Sequence, residues 1–147
     1  MPRFSKRSKS RLKTCDNELQ TLFNEVVVRY DCTILCGHRG KTAQNKAFND
    51  GFSKLKYPNS NHNKIPSMAV DVAPYVGKAR GNIDWKDINQ FYHFAGYVRG
   101  VAERLLNEGV LTYTLRWGGD WRRTYTQTKK NKFRDLVHFE LDKKVRK

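Results

Sequence analysis

The stretch from Asp87 to Gly109 constrains this chain more than any other. Ile88, Phe91, Tyr92, Ala95, Val98, Ala102, Leu105 and Leu106 recur at the spacing that lines one face of a helix. Asp87 is a good N-cap, and the pattern stops at Gly109. So long an apolar stripe needs partner surfaces, and the rest of the chain supplies two kinds. A second helix is predicted from about Thr14 or Asp16 to Arg29, with Leu19, Leu22, Phe23, Val26 and Val27 on its apolar face. Short apolar strands are predicted at 32–36, 68–73, 110–117 and 136–141. A less apolar helix is expected over Thr42–Phe52, with polar loops over 53–67, 75–86 and 118–132. Helices and strands interleave without a regular βαβ repeat, so the expected fold is α+β, a small antiparallel sheet flanked by helices.

At 147 residues and 38% hydrophobic content, the chain is expected to form one domain over 1–147, preceded by a basic, flexible leader at 1–12. With 29 Lys+Arg against 14 Asp+Glu the formal charge is +15, which favours polyanionic surroundings: nucleic acid, envelope polymers or an anionic membrane face. No run approaches the roughly 18–20 apolar residues that span a bilayer. The basic start is followed by Cys15-Asp16-Asn17-Glu18 rather than an apolar stretch, so no signal peptide is expected, and synthesis in a cytoplasm is. Cys15, Cys32 and Cys36 are an odd number without framework spacing, and buried, reduced thiols are expected. In a regular strand Cys32 and Cys36 share a face but stand too far apart for an easy bridge; a metal site using this pair is the other reading.

Three segments carry chemistry. His62 lies in the polar loop Ser60-Asn61-His62-Asn63-Lys64. Asp71 sits in the apolar strand Ala69-Val-Asp-Val-Ala, where alternation places it with Ala69 and Ala73. A buried carboxylate there needs a cation, a metal or backbone donors. In Asp135-Leu-Val-His138-Phe-Glu140-Leu, His138 and Glu140 share one face of a strand and Asp135 stands at its entry. Two histidines and a carboxylate suffice for a catalytic zinc that keeps one position open for water. A further carboxylate is then needed to move protons, and both Asp135 and Glu140 are candidates.

Ser60-x-His62 followed by Ala69-x-Asp71 and later Asp135-x-x-His138 resembles the two-part signature of peptidoglycan metallopeptidases. That family includes phage L-alanyl-D-glutamate endopeptidase endolysins and D-alanyl-D-alanine carboxy- and dipeptidases. Cys36-Gly-His-Arg39, Lys56-Tyr-Pro-Asn-Ser-Asn-His62, Ile83-Asp-Trp85, Phe91-Tyr-His-Phe-Ala-Gly96 and Arg116-Trp-Gly-Gly-Asp-Trp121 are similar to the phage branch, in the same order. The resemblance implies a Hedgehog/D-Ala-D-Ala peptidase-like fold and a zinc ion held by His62, Asp71 and His138. It implies Asp135 as general base and acid, and Arg39 as the cation that polarises the substrate carbonyl. Two departures stand out: the spacing from His62 to Asp71 is longer than the family's commonest pattern, and Val137 stands where relatives often carry Pro or Trp.

On this reading the chain hydrolyses an amide in the peptidoglycan stem peptide, the L-Ala–D-Glu bond ahead of D-Ala–D-Ala, as an endolysin in host lysis. Peptidoglycan is the expected partner, and anionic envelope polymers account for the charge. A holin-type permeabilising partner is implied for access to the wall, and a monomer is expected. The rival from another class is a basic nucleic-acid-binding protein or metal nuclease. Its Lys and Arg are scattered, without a groove-entering motif, so no specific nucleic acid is expected. A catalytically dead wall-binding module is disfavoured by the complete ligand set. His38 is expected at the surface or just behind the site, His93 packed or half exposed, and Ser60 either bonded near His62 or simply turning the loop. Trp117, Asp120 and Trp121 are candidate groove walls, with Trp117 equally a core residue, and Glu140 a supporting acceptor.

Overall fold

The computed structural model describes residues 2–125 and 134–145. Among these residues four helices, α1 (Lys6–Leu12), α2 (Asn17–Val27), α3 (Lys41–Asn49) and α4 (Ile88–Asn107), accompany four strands, β1 (Cys32–Cys36), β2 (Ala69–Pro74), β3 (Tyr113–Trp117) and β4 (His138–Lys144). Short 3-10 turns lie at Asn61–Asn63 and Lys78–Arg80. The strands form one antiparallel sheet in the order β1-β2-β4-β3. The fold is α+β, as the interleaved pattern implies.

Asp16 caps α2 by accepting from the Glu18 N–H, and Asp87 caps α4 by accepting from the Gln90 N–H. Both helices lay their apolar stripes on one face of the sheet. Leu19, Leu22, Phe23 and Val26 of α2 are fully buried, as are Val70, Val72 and Phe139 of the sheet and Val98 of α4. Phe139 is the keystone, with Phe23 edge-on at 5.4 Å and Phe94 at 6.1 Å between ring centroids. Truncating a ring so enclosed costs about 3–5 kcal/mol.

Four expectations change. The basic segment read as a flexible leader is helical over Lys6–Leu12, because Ser5 caps it and its short polar side is used against the sheet. Ser8 Oγ accepts from the Ile34 N–H at 3.0 Å, Arg11 donates to the Ile34 carbonyl at 3.0 Å, and Phe4 and Leu12 are buried. The third helix ends at Asn49, short of Phe52, and the third strand begins at Tyr113 rather than Val110. Cys32 and Cys36 do not share a face: the β1–β2 register shifts between Ile34 and Cys36, so a bulge turns Cys36 away from the core that holds Cys32. All three cysteines are free thiols. Of the loop expected over 118–132, positions 126–132 lie outside the described residues, as does position 1 of the leader. Among the described residues no helix is long and apolar enough to cross a membrane.

Candidate metal centre

The sheet face opposite α2 and α4 carries the site, and strand register builds its floor. Asp71 stands opposite His138, and Ala69 opposite Glu140, across β2 and β4. The bulge in β1 brings Cys36 opposite Asp71, while β3 sets Arg116 opposite Glu140. Cross-strand partners point to the same side, so two neighbouring rows form: Cys36–Asp71–His138 and Ala69–Glu140–Arg116.

His62 arrives from outside the sheet. Its 3-10 turn is closed by reciprocal capping: Ser60 Oγ accepts from the His62 N–H, and Asn63 Oδ1 accepts from the Ser60 N–H. The turn is pinned to the segment after β1. The Arg39 N–H donates to the His62 carbonyl at 2.8 Å, and Asn63 Nδ2 donates to the Arg39 carbonyl at 2.9 Å. Gly37 is required there, because a Cβ would meet the Arg11 carbonyl oxygen at 2.5 Å and the Thr14 hydroxyl. That close approach sets the Gly37 carbonyl 2.7 Å from His62 Nδ1.

The outer contacts fix the tautomers. Gly37 O can only accept, so His62 Nδ1 carries a proton, and its Nε2 meets Asp71 Oδ1, itself only an acceptor, at 3.1 Å across a gap that a proton or a metal ion must fill. On the other side, His138 Nε2 donates to Glu140 Oε1 at 2.7 Å, which leaves Nδ1 facing the same Asp71 oxygen at 3.4 Å. Two imidazole nitrogens and an anionic oxygen thus converge, an arrangement that demands positive charge between them. The protonation tendencies agree. Burial works against charge on His62, but the Asp71 carboxylate outweighs it and lifts the imidazole to about 10. His138 is raised too, burial being overcome by its bonds to Asp71 and Glu140. Asp71 is held far below the usual carboxylate range despite its burial, chiefly by the charge of His62. The donor set fits a divalent ion of the zinc type: two histidines, a carboxylate, and an outer hydrogen-bond acceptor behind each imidazole. Close ligand groups in the described residues are Asp71, Asp135 and His138, and Cys36, His62 and Asp71, which share Asp71.

Asp135 enters on a tight turn. The His138 N–H bonds to the Asp135 carbonyl at 3.1 Å, placing the two side chains of the Asp-x-x-His segment together. Gly118 clasps both ends of this turn, donating to the His138 carbonyl at 2.8 Å and accepting from the Asp135 N–H at 2.9 Å. A Cβ on Gly118 would collide with the Asp135 carbonyl. Burial and the charge of Asp71 push the Asp135 carboxyl upward. Glu140 moves the other way, to about 2: burial opposes its charge, but His138 and Arg116 both donate to it. A cavity of about 410 Å³ opens over the site, lined by Arg39, His62, Asp135, His138, Arg116 and Trp121 on the site side and by residues of the 52–61 loop.

His62, Asp71, His138, Asp135 and Arg39, singled out in the sequence, therefore meet in one place. Arg39 reaches the cavity with its guanidinium bound to Asp71 Oδ2 at 3.2 Å and to Gln44 Oε1 at 3.1 Å. Trp121 lines the cavity, whereas Trp117 and Asp120 are buried. His93 is exposed and bonded to the Tyr30 hydroxyl at 2.8 Å, and the His38 N–H caps onto Thr14. Three contributors were not placed at this site from the sequence. Cys36 depends on the bulge. Arg116 was seen only within a motif. Gln44, fully buried, ties Arg39 and Asn63 to Ser53 and the Leu55 carbonyl. A polar residue amid the few apolar positions of α3 was its only trace in the sequence.

A family model described as phage L-alanyl-D-glutamate peptidase matches residues 1–142. Among solved structures the chain is similar to the L-Ala D-Glu endopeptidase ChiX of Serratia marcescens, with a TM-score of 0.69 at 20% identity, over 96% of this chain and 91% of that one. At that identity the likeness speaks for the fold. No curated protein sequence matches.

Proposed function

The chain belongs to the phage L-alanyl-D-glutamate peptidase family, and from that premise we propose that it cleaves the L-Ala–D-Glu amide of the peptidoglycan stem peptide with a zinc ion held by His62, Asp71 and His138. The observation that carries the metal assignment is the pair of imidazole nitrogens aimed at one oxygen of Asp71, each ring locked by an acceptor behind it.

Zinc held by His62, Asp71 and His138 would supply Lewis acidity for activating water at neutral pH and for the charge that develops on the reacting carbonyl. The protein does the rest. Asp135, raised in pKa and lining the cavity, removes a proton from the attacking water and returns it to the departing amine. Glu140 is the poorer base, since both its oxygens are engaged and its pKa is low. It holds the His138 ring in place instead. Arg39 holds Asp71 so that the other carboxylate oxygen faces the histidines, and it adds positive charge beside the carbonyl that becomes an oxyanion.

In this reading the enzyme acts as an endolysin, reaching the wall from the host cytoplasm after a permeabilising partner has opened the membrane. Its +15 charge favours anionic envelope polymers. The test is digestion of purified peptidoglycan with and without a chelator, followed by identification of new amino termini. Release of N-terminal D-Glu, abolished by chelation and restored by zinc, is expected. Nuclease activity with an intact wall refutes the reading.

A further inference from the structure

D-Glutamate in a stem peptide continues through its side-chain carboxyl, so its α-carboxylate stays free. That anion lies one carbon from the nitrogen that leaves when the L-Ala–D-Glu amide is cut. An enzyme that grips this anion positions the scissile bond; one that does not must rely on the ions at the reaction centre alone. Among the described residues the cavity offers three cations: Arg39, Lys54 and Arg116.

Arg39 is committed, with one terminal nitrogen on Asp71 and the other on Gln44. Lys54 belongs to the polar loop and carries a single flexible ammonium. Arg116 is different. Its Nε and Nη2 donate to the same oxygen of Glu140, at 3.0 and 2.6 Å, while Nη1 takes no partner among the described residues. The guanidinium stands 5.2 Å from the Trp121 ring, and Trp121 packs 5.2 Å from the His138 ring. Glu140 closes the circuit by accepting from His138 Nε2 at 2.7 Å. His138, Glu140, Arg116 and Trp121 thus form a closed ring of contacts that fixes a guanidinium at the cavity wall next to a metal-facing histidine. Its side chain is 31% exposed, enough to meet a ligand without losing its supports.

We propose that Arg116 binds the α-carboxylate of the D-glutamate residue through Nη1, and thereby makes the enzyme select the free acid over the α-amide. This rests on the L-Ala–D-Glu peptidase reading above. A guanidinium locked through Nε and Nη2 holds Nη1 in a fixed direction, as a flexible ammonium cannot, and a charge-assisted bond from it is strong enough to give about 10- to 100-fold discrimination.

The experiment compares two synthetic stem peptides, identical except that one carries the α-carboxylate and the other the α-carboxamide on the D-residue. kcat/KM is measured for each with zinc-loaded enzyme. The wild type should prefer the acid by about 10- to 100-fold, expressed mainly in KM. Arg116→Gln should bring the ratio to within about twofold of one, Arg116→Lys should leave part of it, and Lys54→Gln should preserve it. The ratio is internal to each variant, so damage transmitted through Glu140 to His138 cancels. Equal cleavage of acid and amide by the wild type, retention of the preference in Arg116→Gln, or its loss in Lys54→Gln overturns the proposal while the peptidase reading stands. Failure to cleave either peptide overturns both.

Discussion

Asp120→Asn should destabilise the protein by about 3 kcal/mol, and the loss should fade in acid. Asp120 is 1% exposed, and both of its oxygens accept twice. Oδ1 takes the Thr124 N–H and hydroxyl, each at 3.0 Å; Oδ2 takes the Tyr125 N–H at 2.8 Å and Arg99 Nη2 at 2.9 Å. An amide in this place presents an N–H group to two donors, whichever way it turns. Burial opposes the charge of Asp120, yet these donors hold its carboxyl at about 2, against an ordinary 3.8. That difference is worth about 2 kcal/mol. Arg99, whose Nε already lacks a partner among the described residues, then loses its counter-ion, which brings the total to about 3 kcal/mol. For a chain of this length that is a fall in Tm of about 6–12 °C.

The sign of the pH dependence follows from the depressed pKa. The stabilisation is complete above the unfolded value near 4 and is lost as pH falls toward the folded value near 2; roughly half of the ionic part survives at pH 3. Asn does not titrate, so the gap between wild type and variant tracks this directly. Urea unfolding of both proteins at pH 7 and pH 3 measures it. A gap below 1 kcal/mol at pH 7, or one that is the same at both pH values, refutes the reasoning. Because Asp120 anchors the turn that carries Trp121, the variant should also show a raised KM.

Three further outcomes are expected. Glu140→Gln should keep the fold but weaken zinc binding about 10- to 100-fold in chelator competition, because the acceptor behind His138 loses its charge. Unchanged affinity would mean the ring is held by packing alone. Asp135→Asn should bind zinc like the wild type while kcat falls at least about 100-fold, whereas His138→Ala should lose metal and turnover together. An active Asp135→Asn beside an inactive Glu140→Gln transfers the base to Glu140. Gly37→Ala should destabilise by about 1–3 kcal/mol through contact with the Arg11 carbonyl, and should also lower zinc affinity, since the carbonyl that orients His62 must shift. Thermal melts and zinc titration on the same sample separate the two effects.

The sequence by itself determined whatever depends on local period. Residues 88–107 and 17–27 carry their apolar faces at helical spacing, and the helices formed there with the expected caps. Asp71 stood out because an ionic side chain inside an apolar strand must find a partner. His138 and Glu140 share a face because strand alternation is a property of neighbours. The family signature then tied distant segments together, although alternation alone left the choice between Asp135 and Glu140 open.

Only the tertiary structure decided what depends on pairing. A single bulge in β1 moved Cys36 from the core side to the side of His62 and Asp71, and no local pattern announces an extra residue between paired strands. Arg116 gained its meaning from standing opposite Glu140, a register set by β3 meeting β4. The basic segment at 6–12 became helix α1 because β1 supplied the partners for Ser8 and Arg11, and a seven-residue helix has too few internal bonds to hold by itself. Local periodicity sets which way a side chain faces along its own element; the free energy of long-range strand pairing sets which other side chains it faces, and the chemistry of this site lies in the second.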